Sequence, residues 1–222
     1  SWYKFDGNAN DSSGNGNNGT AHGVTLTTDR NGSPNSAYSF DGDDWISVTH
    51  DDSLNPDALT VSVWMKPSDW YNGHIPIICK SNVSWQEGSY RSQIDNHGDT
   101  ITFMLRATAS ANNCIEFGKW QLITLTLDNQ SMCVYRNGVL IGRDDAPGLI
   151  QKKSDDIGIG RNIVGATEYF KGSMDDFRIY NRALSAAEVK SLYDESVDVS
   201  QIEGGLLHRW SFNGNLSDSA GG

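Results

Sequence analysis

The chain has 222 residues, with 17 Lys+Arg against 28 Asp+Glu and a formal net charge of -11, so the positive footprint of a nucleic-acid binder is missing and an anionic membrane is a poor partner. Hydrophobic residues at 37% and aromatic residues at 10% describe a loop-rich globular protein, either one large all-β domain or two small domains. No apolar run approaches the roughly eighteen residues that cross a bilayer, and Ser1-Trp2-Tyr3-Lys4 lacks the charged-then-apolar layout of an export signal; the expectation is a soluble chain with no membrane insertion.

In chain order, the first informative stretch is the loop Asp6-Gly7-Asn8-Ala9-Asn10-Asp11. Its carboxylates, amides and carbonyls are the hard oxygen donors that calcium takes, although the spacing is not that of an EF-hand. The same side chains also suit Asx turns, in which they bond neighbouring backbone groups. Beyond it, short β-branched and aromatic runs alternate with turn clusters. Strands are predicted over Trp45-Val48, Leu59-Lys66, Ile75-Lys80, Thr100-Arg106, Trp120-Leu127, Met132-Arg136, Val139-Gly142, Asp156-Gly160 and Phe177-Tyr180, the pattern of an antiparallel sandwich. Asn137-Gly138 is a two-residue hairpin signal, because both residues tolerate the positive φ of a type I′ turn. Cys79, Cys114 and Cys133 allow one internal disulfide at most, fit no zinc spacing and read as buried small hydrophobes.

One helix is predicted near the end. Ser185-Ala186-Ala187-Glu188 is a capping box, and Val189, Leu192 and Tyr193 follow on one face. The stretch from Tyr3 to Gly14 is echoed from Trp210 to Gly221, with aromatic residues, Gly-Asn, Asp-Ser and Gly in register. The expected organisation is therefore a module over residues 1–196, a linker over 197–205 and the first strand and loop of a second, truncated repeat over 206–222.

Taken in order, Phe40-Asp41-Gly42-Asp43-Asp44-Trp45-Ile46, Leu59-Thr60-Val61-Ser62-Val63-Trp64-Met65-Lys66-Pro67, Gly118-Lys119-Trp120-Gln121-Leu122, Val134-Tyr135-Arg136-Asn137-Gly138-Val139, Ile157-Gly158-Ile159-Gly160-Arg161 and Gly172-Ser173-Met174-Asp175-Asp176-Phe177-Arg178-Ile179-Tyr180-Asn181-Arg182-Ala183-Leu184-Ser185 resemble the laminin-G-like, concanavalin-A-like jelly-roll family. The branch is that of repeated modules in bacterial surface and secreted proteins. The resemblance spans nearly all of residues 2–195. It implies an all-β, two-sheet antiparallel jelly-roll sandwich, non-catalytic in most members, extracellular or on the cell surface. It further implies glycan or protein binding and often a structural calcium.

Candidate sites follow from the residues. In a strand, neighbouring side chains point to opposite faces, so only one of Asp175 and Asp176 should share the side of Phe177 and Ile179. A carboxylate at the core edge needs a cation or several donors. If first and last strands are neighbours, Asp175 meets the N-terminal loop, and the expected structural calcium is held by Asp6, Asn8, Asp11 and Asp175. Asp43-Asp44, Asp51-Asp52, Asp144-Asp145 and Asp155-Asp156 are further acidic pairs, with solvation as their default reading. Carbohydrate binding needs aromatic faces and planar polar groups. Two connecting segments offer both, one with Trp70, Tyr71 and His74, the other with Trp85, Tyr90 and Arg91; packing under a long loop is the competing reading. Trp64 and Trp120 are assigned to packing. The glutamates, Glu87, Glu116, Glu168, Glu188, Glu195 and Glu203, form no alternating acidic strand of the glucanase type, and no G-x-S-x-G elbow occurs. The expectation is a module that binds a glycan or polysaccharide, or else a protein surface, without catalysis; a polysaccharide-active sandwich enzyme is the weaker alternative.

Overall fold

A computed structural model describes residues 1–68, 73–80, 89–95, 100–105, 108–112, 114–145, 150–163 and 168–194 and contains fifteen strands and one α-helix among them. The strands are β1 (Trp2–Tyr3), β2 (Gly19–His22), β3 (Thr25–Thr27), β4 (Ala37–Asp41), β5 (Trp45–Val48), β6 (Leu59–Pro67), β7 (Ile75–Lys80), β8 (Tyr90–Ile94), β9 (Ile101–Met104), β10 (Thr108–Ala111), β11 (Gln121–Leu127), β12 (Met132–Arg136), β13 (Val139–Asp144), β14 (Ile157–Ile159) and β15 (Lys171–Tyr180), with α1 over Ala186–Asp194. All pairings are antiparallel. One sheet runs β13-β12-β11-β6-β15-β4-β3 with β1 added beside β15, and the other runs β10-β9-β8-β7-β14-β5-β2. The sandwich expected from the sequence is thus the observed architecture.

Alternation along each strand builds the core. Ile46 and Val48, Val61, Val63 and Met65, and Ile123, Leu125 and Leu127 are all buried between the sheets, and burying each such side chain stabilises the fold by about 1.5–3 kcal/mol. Asn137 (φ 51°) and Gly138 (φ 77°) close the β12–β13 hairpin in the left-handed conformation foreseen for them. A second, smaller cluster lies on the outer face of the β6-containing sheet, where α1 packs Val189 and Leu192 against Leu122, Tyr135 and Tyr180. Trp64 belongs to this cluster and stacks on Tyr193 at 5.9 Å between ring centroids. Its packing role holds, though beneath the helix and not between the sheets. The capping box also forms: Ser185 N donates to Glu188 Oε2 at 2.8 Å and Glu188 N donates to Ser185 Oγ at 3.3 Å. The three cysteines are buried thiols.

Strand β15 departs from simple alternation in a way that shapes the surface. Its register with β6 shifts between Asp175 and Arg178, and Asp176 has φ +53°, which together make a β-bulge. Met174, Phe177 and Ile179 point into the main core, so the extra residue leaves both Asp175 and Asp176 on the opposite face. The expectation that one of them shares the side of Phe177 is corrected by this bulge. Along its other edge, β15 pairs β4 at residues 171–174 and β1 at residues 177–178. The bulge sits where one neighbour ends and the next begins.

Candidate functional site

The break between β4 and β1 opens a pocket of about 230 Å³. Trp2, Lys4 and Asp6 come from β1 and the chain just after it, Asp29, Arg30 and Asn31 from the β3–β4 connection, and Asp175 and Asp176 from the bulge. Arg30 is the organising cation. Its guanidinium bonds Asp175 Oδ2 through one nitrogen and reaches Asp176 Oδ2 at 3.3 Å through the other, while its charged end lies 5.0 Å from the centre of the Trp64 ring. Asp176 also accepts from Arg178 at 2.7 Å and from the Trp2 indole N–H. Burial pushes the Asp176 carboxyl up, but Arg178 and Arg30 outweigh it and hold the group below the usual carboxylate range. Asp175 is 3% exposed, and its burial, against the pull of Arg30, pushes its carboxyl up to about 7.

The calcium set read from the sequence does not converge. Asp6 and Asp175 do line one pocket, as adjacency of the first and last strands required, but Arg30 already bonds Asp175. Asp11 is spent on backbone donors: Oδ1 accepts from Trp2 N at 2.8 Å and Ser13 N at 2.9 Å, and Oδ2 from Asn17 N at 3.2 Å. Burial pushes that carboxyl up and these bonds overcome it, leaving it below its ordinary value. Asn8 Oδ1 accepts from Asn10 N at 2.8 Å, an Asx turn. The four residues do not fit a calcium shell, and Asp11 instead clamps β1 to its loop. Among the described residues, Asp41, Asp43 and Asp44 form a triad in which one carboxylate oxygen from each lies within 4.8 Å of the others. Asp44 Oδ2 accepts from Asp41 N at 2.8 Å and Asp41 Oδ1 from Asp43 N at 3.4 Å, so this turn is the arrangement that could hold a divalent cation with oxygen ligands.

The carbohydrate candidates separate as sharply. Trp70, Tyr71 and Trp85 lie outside the described residues. Tyr90 is corrected: its ring is buried in the core, with its hydroxyl donating to Leu54 O at 3.2 Å, so it offers no face to a sugar. Residues 90–94 form a strand where the sequence reading placed a loop, and alternation on β8 sends Tyr90 and Ile94 inward while Arg91 and Gln93 face out. There the structure joins two of the expected residues through one that was not foreseen. Arg91 donates to Gln93 Oε1 at 2.7 Å, and the Gln93 amide nitrogen lies 2.8 Å from His74 Nδ1. Cross-strand register extends this outer face through Ser47, Gly158, Cys79, Arg91 and Met104. Beside it, Trp45 is held between His22, stacked at 4.1 Å and 10°, and Arg161, 4.4 Å from the ring centre. Along this face His74, Arg91 and Trp45 are half-buried, while Gln93, which links Arg91 to His74, is 5% exposed.

The described glutamates are each tied to a structural partner: Glu116 to Lys119 and Arg136, Glu168 to Asn162, and Glu188 to Arg182 and the helix cap. The Arg182 guanidinium, and after it the Ser185 cap bonds, hold the Glu188 carboxyl down at about 2 against its partial burial.

A family model described as the concanavalin A-like lectin/glucanases superfamily matches residues 40–190. The chain belongs to that superfamily. No curated protein matches it by sequence. Among solved structures, it is similar to domain 4 of AbnA, a GH43 extracellular arabinanase from Geobacillus stearothermophilus, in complex with arabinotriose, at a TM-score of 0.70 and 22% identity over 86% of this chain and 96% of that chain. It is also similar to the receptor binding domain of botulinum neurotoxin C/D mosaic serotype, with TM-score 0.63, 19% identity and coverage of 84% and 48%. The ligand binding domain of botulinum neurotoxin serotype D, in complex with N-acetylneuraminic acid, matches with TM-score 0.63, 20% identity and the same coverage of 84% and 48%. The chain spans about half the length of each toxin domain. At these identities the likeness establishes a shared jelly-roll fold. No described helix is long and apolar enough to cross a membrane.

Proposed function

We propose that the chain is a non-catalytic carbohydrate-binding module of an extracellular or cell-surface protein built from repeated units, and that it binds glycan on the outer face of the sheet containing β8. The observation that carries this reading is the linked row His74, Gln93 and Arg91. Sugar hydroxyls are recognised by planar amide, imidazole and guanidinium groups held in fixed orientation, and side chains that already restrain one another lose little freedom on binding. The sugar-bound domain 4 of AbnA supports the reading through its fold. Among the described residues, Glu116, Glu168 and Glu188 are engaged by structural partners, which supports binding over hydrolysis, a reaction that needs a paired acid and base across a glycosidic bond. Calcium enters the proposal as a structural ion only, at Asp41, Asp43 and Asp44.

The test is a glycan array that includes arabino-oligosaccharides, probed with the chain and with its Arg91→Ala variant. Loss of a charge-assisted hydrogen bond costs about 1.5–3 kcal/mol, so the variant should bind its array ligands at least about ten-fold more weakly while melting at the same temperature. An Arg91→Ala protein that keeps full affinity rules out this face.

A further inference from the structure

Arginine pairing divides the described surface. Arg30, Arg136, Arg143, Arg178 and Arg182 each hold a carboxylate partner. Arg91 and Arg161 hold none among the described residues, although the chain carries 28 Asp+Glu against 17 Lys+Arg, and both lie on the outer face of the sheet containing β8. Arg91 makes one side-chain hydrogen bond, to the neutral Gln93 Oε1. The charged centre of Arg161 lies 4.4 Å from the centre of the Trp45 ring and 5.6 Å from that of Tyr169, and its Nε is buried without a partner. Its carbonyl covers Gly158, where an added Cβ would meet it at 3.0 Å, so the residue crosses the middle of the face. Glu168, next to the Arg161–Tyr169 bridge, is taken by Asn162 Nδ2 at 2.6 Å.

The polarity of the linked row follows from its chemistry. Arg91 can only donate, so Gln93 spends its oxygen on Arg91 and its amide nitrogen donates to His74 Nδ1 at 2.8 Å. The proton of a neutral imidazole then sits on Nε2, which becomes a donor and has no partner among the described residues. At Arg91, Arg161 and His74 the face therefore offers a ligand donors only, two of them permanently charged.

We infer that this face binds an acidic oligosaccharide, whose carboxylate or sulfate groups engage Arg91 and Arg161. The inference rests on the glycan reading of the β8 face and narrows its ligand class. A guanidinium presents a planar fork of N–H groups that matches such oxyanions, and stacking on aromatic rings holds that fork in place before the ligand arrives. The spacing selects a chain over a single sugar. Arg91 opposes Cys79 and Cys79 opposes Gly158, so Arg91 and the Arg161 segment are two strands apart, about 10 Å, and the Arg161 side chain reaches Trp45 on the strand beyond. The net charge of -11 does not forbid an anion here, because the other sheet lies about 10 Å away and its carboxylates are screened over about 8 Å at physiological salt.

The experiment is isothermal titration with tetragalacturonate, its uncharged methyl ester, a sulfated tetrasaccharide of the heparin type and neutral arabinotetraose. The expected result is that one of the two acidic ligands binds at least about ten-fold tighter than both neutral ones, the size of a charge-assisted hydrogen bond, and the tighter acid identifies the anionic group. Arg161→Gln should weaken the acidic ligand at least about ten-fold and leave the methyl ester unchanged, a split that loss of packing on Trp45 would not produce. Arg91→Lys keeps the charge without the fork and should bind the acid less tightly than the parent chain. Arg143→Ala, on the other sheet, should change nothing, and circular dichroism melts check each fold. Neutral ligands that bind as tightly as the acids, and are weakened by Arg91→Ala, would leave the β8 face standing and overturn the acidic class. An Arg161→Gln variant with full affinity for the acid also overturns it. Binding of none of the four would remove the glycan reading together with this one.

Discussion

Replacing Arg30 by alanine is expected to destabilise the fold by about 3–5 kcal/mol, the usual cost of stranding a buried charge when its partner is removed. Arg30 bonds Asp175 and reaches Asp176 at the bulge, and its loss leaves Asp175 without its bonded cation and Asp176 with Arg178 at 2.7 Å. For a chain of this size that corresponds to a fall in Tm on the order of 10 °C. Lysine at this position keeps the charge but loses the two-pronged guanidinium, so Arg30→Lys should fall between the two. The effect depends on pH in a fixed sense. The folded Asp175 carboxyl lies at about 7, raised above its ordinary value of 3.8, so the native state holds this proton more tightly than the unfolded chain does. Its contribution is fully present below about pH 4 and is lost as pH rises through about 7. The Arg30→Ala defect should therefore be largest at pH 8 and shrink toward pH 5, where a protonated Asp175 needs no cation. A defect that is equal at both pH values would show that Asp175 is not the stranded charge.

Gly172→Ala is expected to be as damaging for a different reason. Gly172 has φ +141°, and an added Cβ would lie 2.3 Å from Lys66 O, 2.8 Å from Pro67 Cα and 2.9 Å from Ser68 N. These are backbone atoms of β6 and the residue after it, and β15 is held at this point between Pro67 on β6 and Phe40 on β4. The clash can be relieved only by parting strands. Backbone strain and overpacking each cost about 1–3 kcal/mol, so a combined loss of roughly 2–6 kcal/mol should appear in the urea midpoint. Gly16 is the control: its φ is +77°, yet nothing lies within 4 Å of an added Cβ. Gly16→Ala should lose only the conformational preference, about 1–2 kcal/mol. Equal losses at the two positions would mean that the close approach at Gly172 is absent.

The longer strands were legible because their residues repeat every two positions with β-branched or aromatic side chains. Leu59–Pro67 and Gln121–Leu127 are the clearest cases. Local signals with one dominant physical cause were legible too, as at Asn137-Gly138 and Ser185 to Glu188. The short strands Gly19–His22, Thr25–Thr27 and Ala37–Asp41 carry too few residues to show a period. They exist because their neighbours in the sheets supply hydrogen bonds. Strand β8 was read as a loop because its outward residues are Arg91 and Gln93, and only the buried Tyr90 and Ile94 betray the alternation. That misreading also hid Gln93, which joins Arg91 to His74.

The acidic pocket was half legible. Proximity of Asp6 to Asp175 follows from the first and last strands lying side by side. Nothing in the local sequence announces that Arg30, about 145 positions earlier, supplies the cation in place of a metal, because a residue in a polar turn has no period to mark its destination. The bulge is equally silent. An aspartate with positive φ at position 176 is decided by the register of three strands meeting at β15, and that register is a property of the whole sheet.

The most direct test of glycan binding without turnover is to follow backbone amide resonances of the purified chain, and the anomeric signals of an array-selected oligosaccharide, in one titration. The expected result is saturable shifts centred on His74, Arg91, Gln93 and Thr102, the cross-strand partner of Gln93 on β9, with the oligosaccharide spectrum unchanged after prolonged incubation. Shifts that spare β8 and β9, or new reducing-end signals that grow with time, would contradict it.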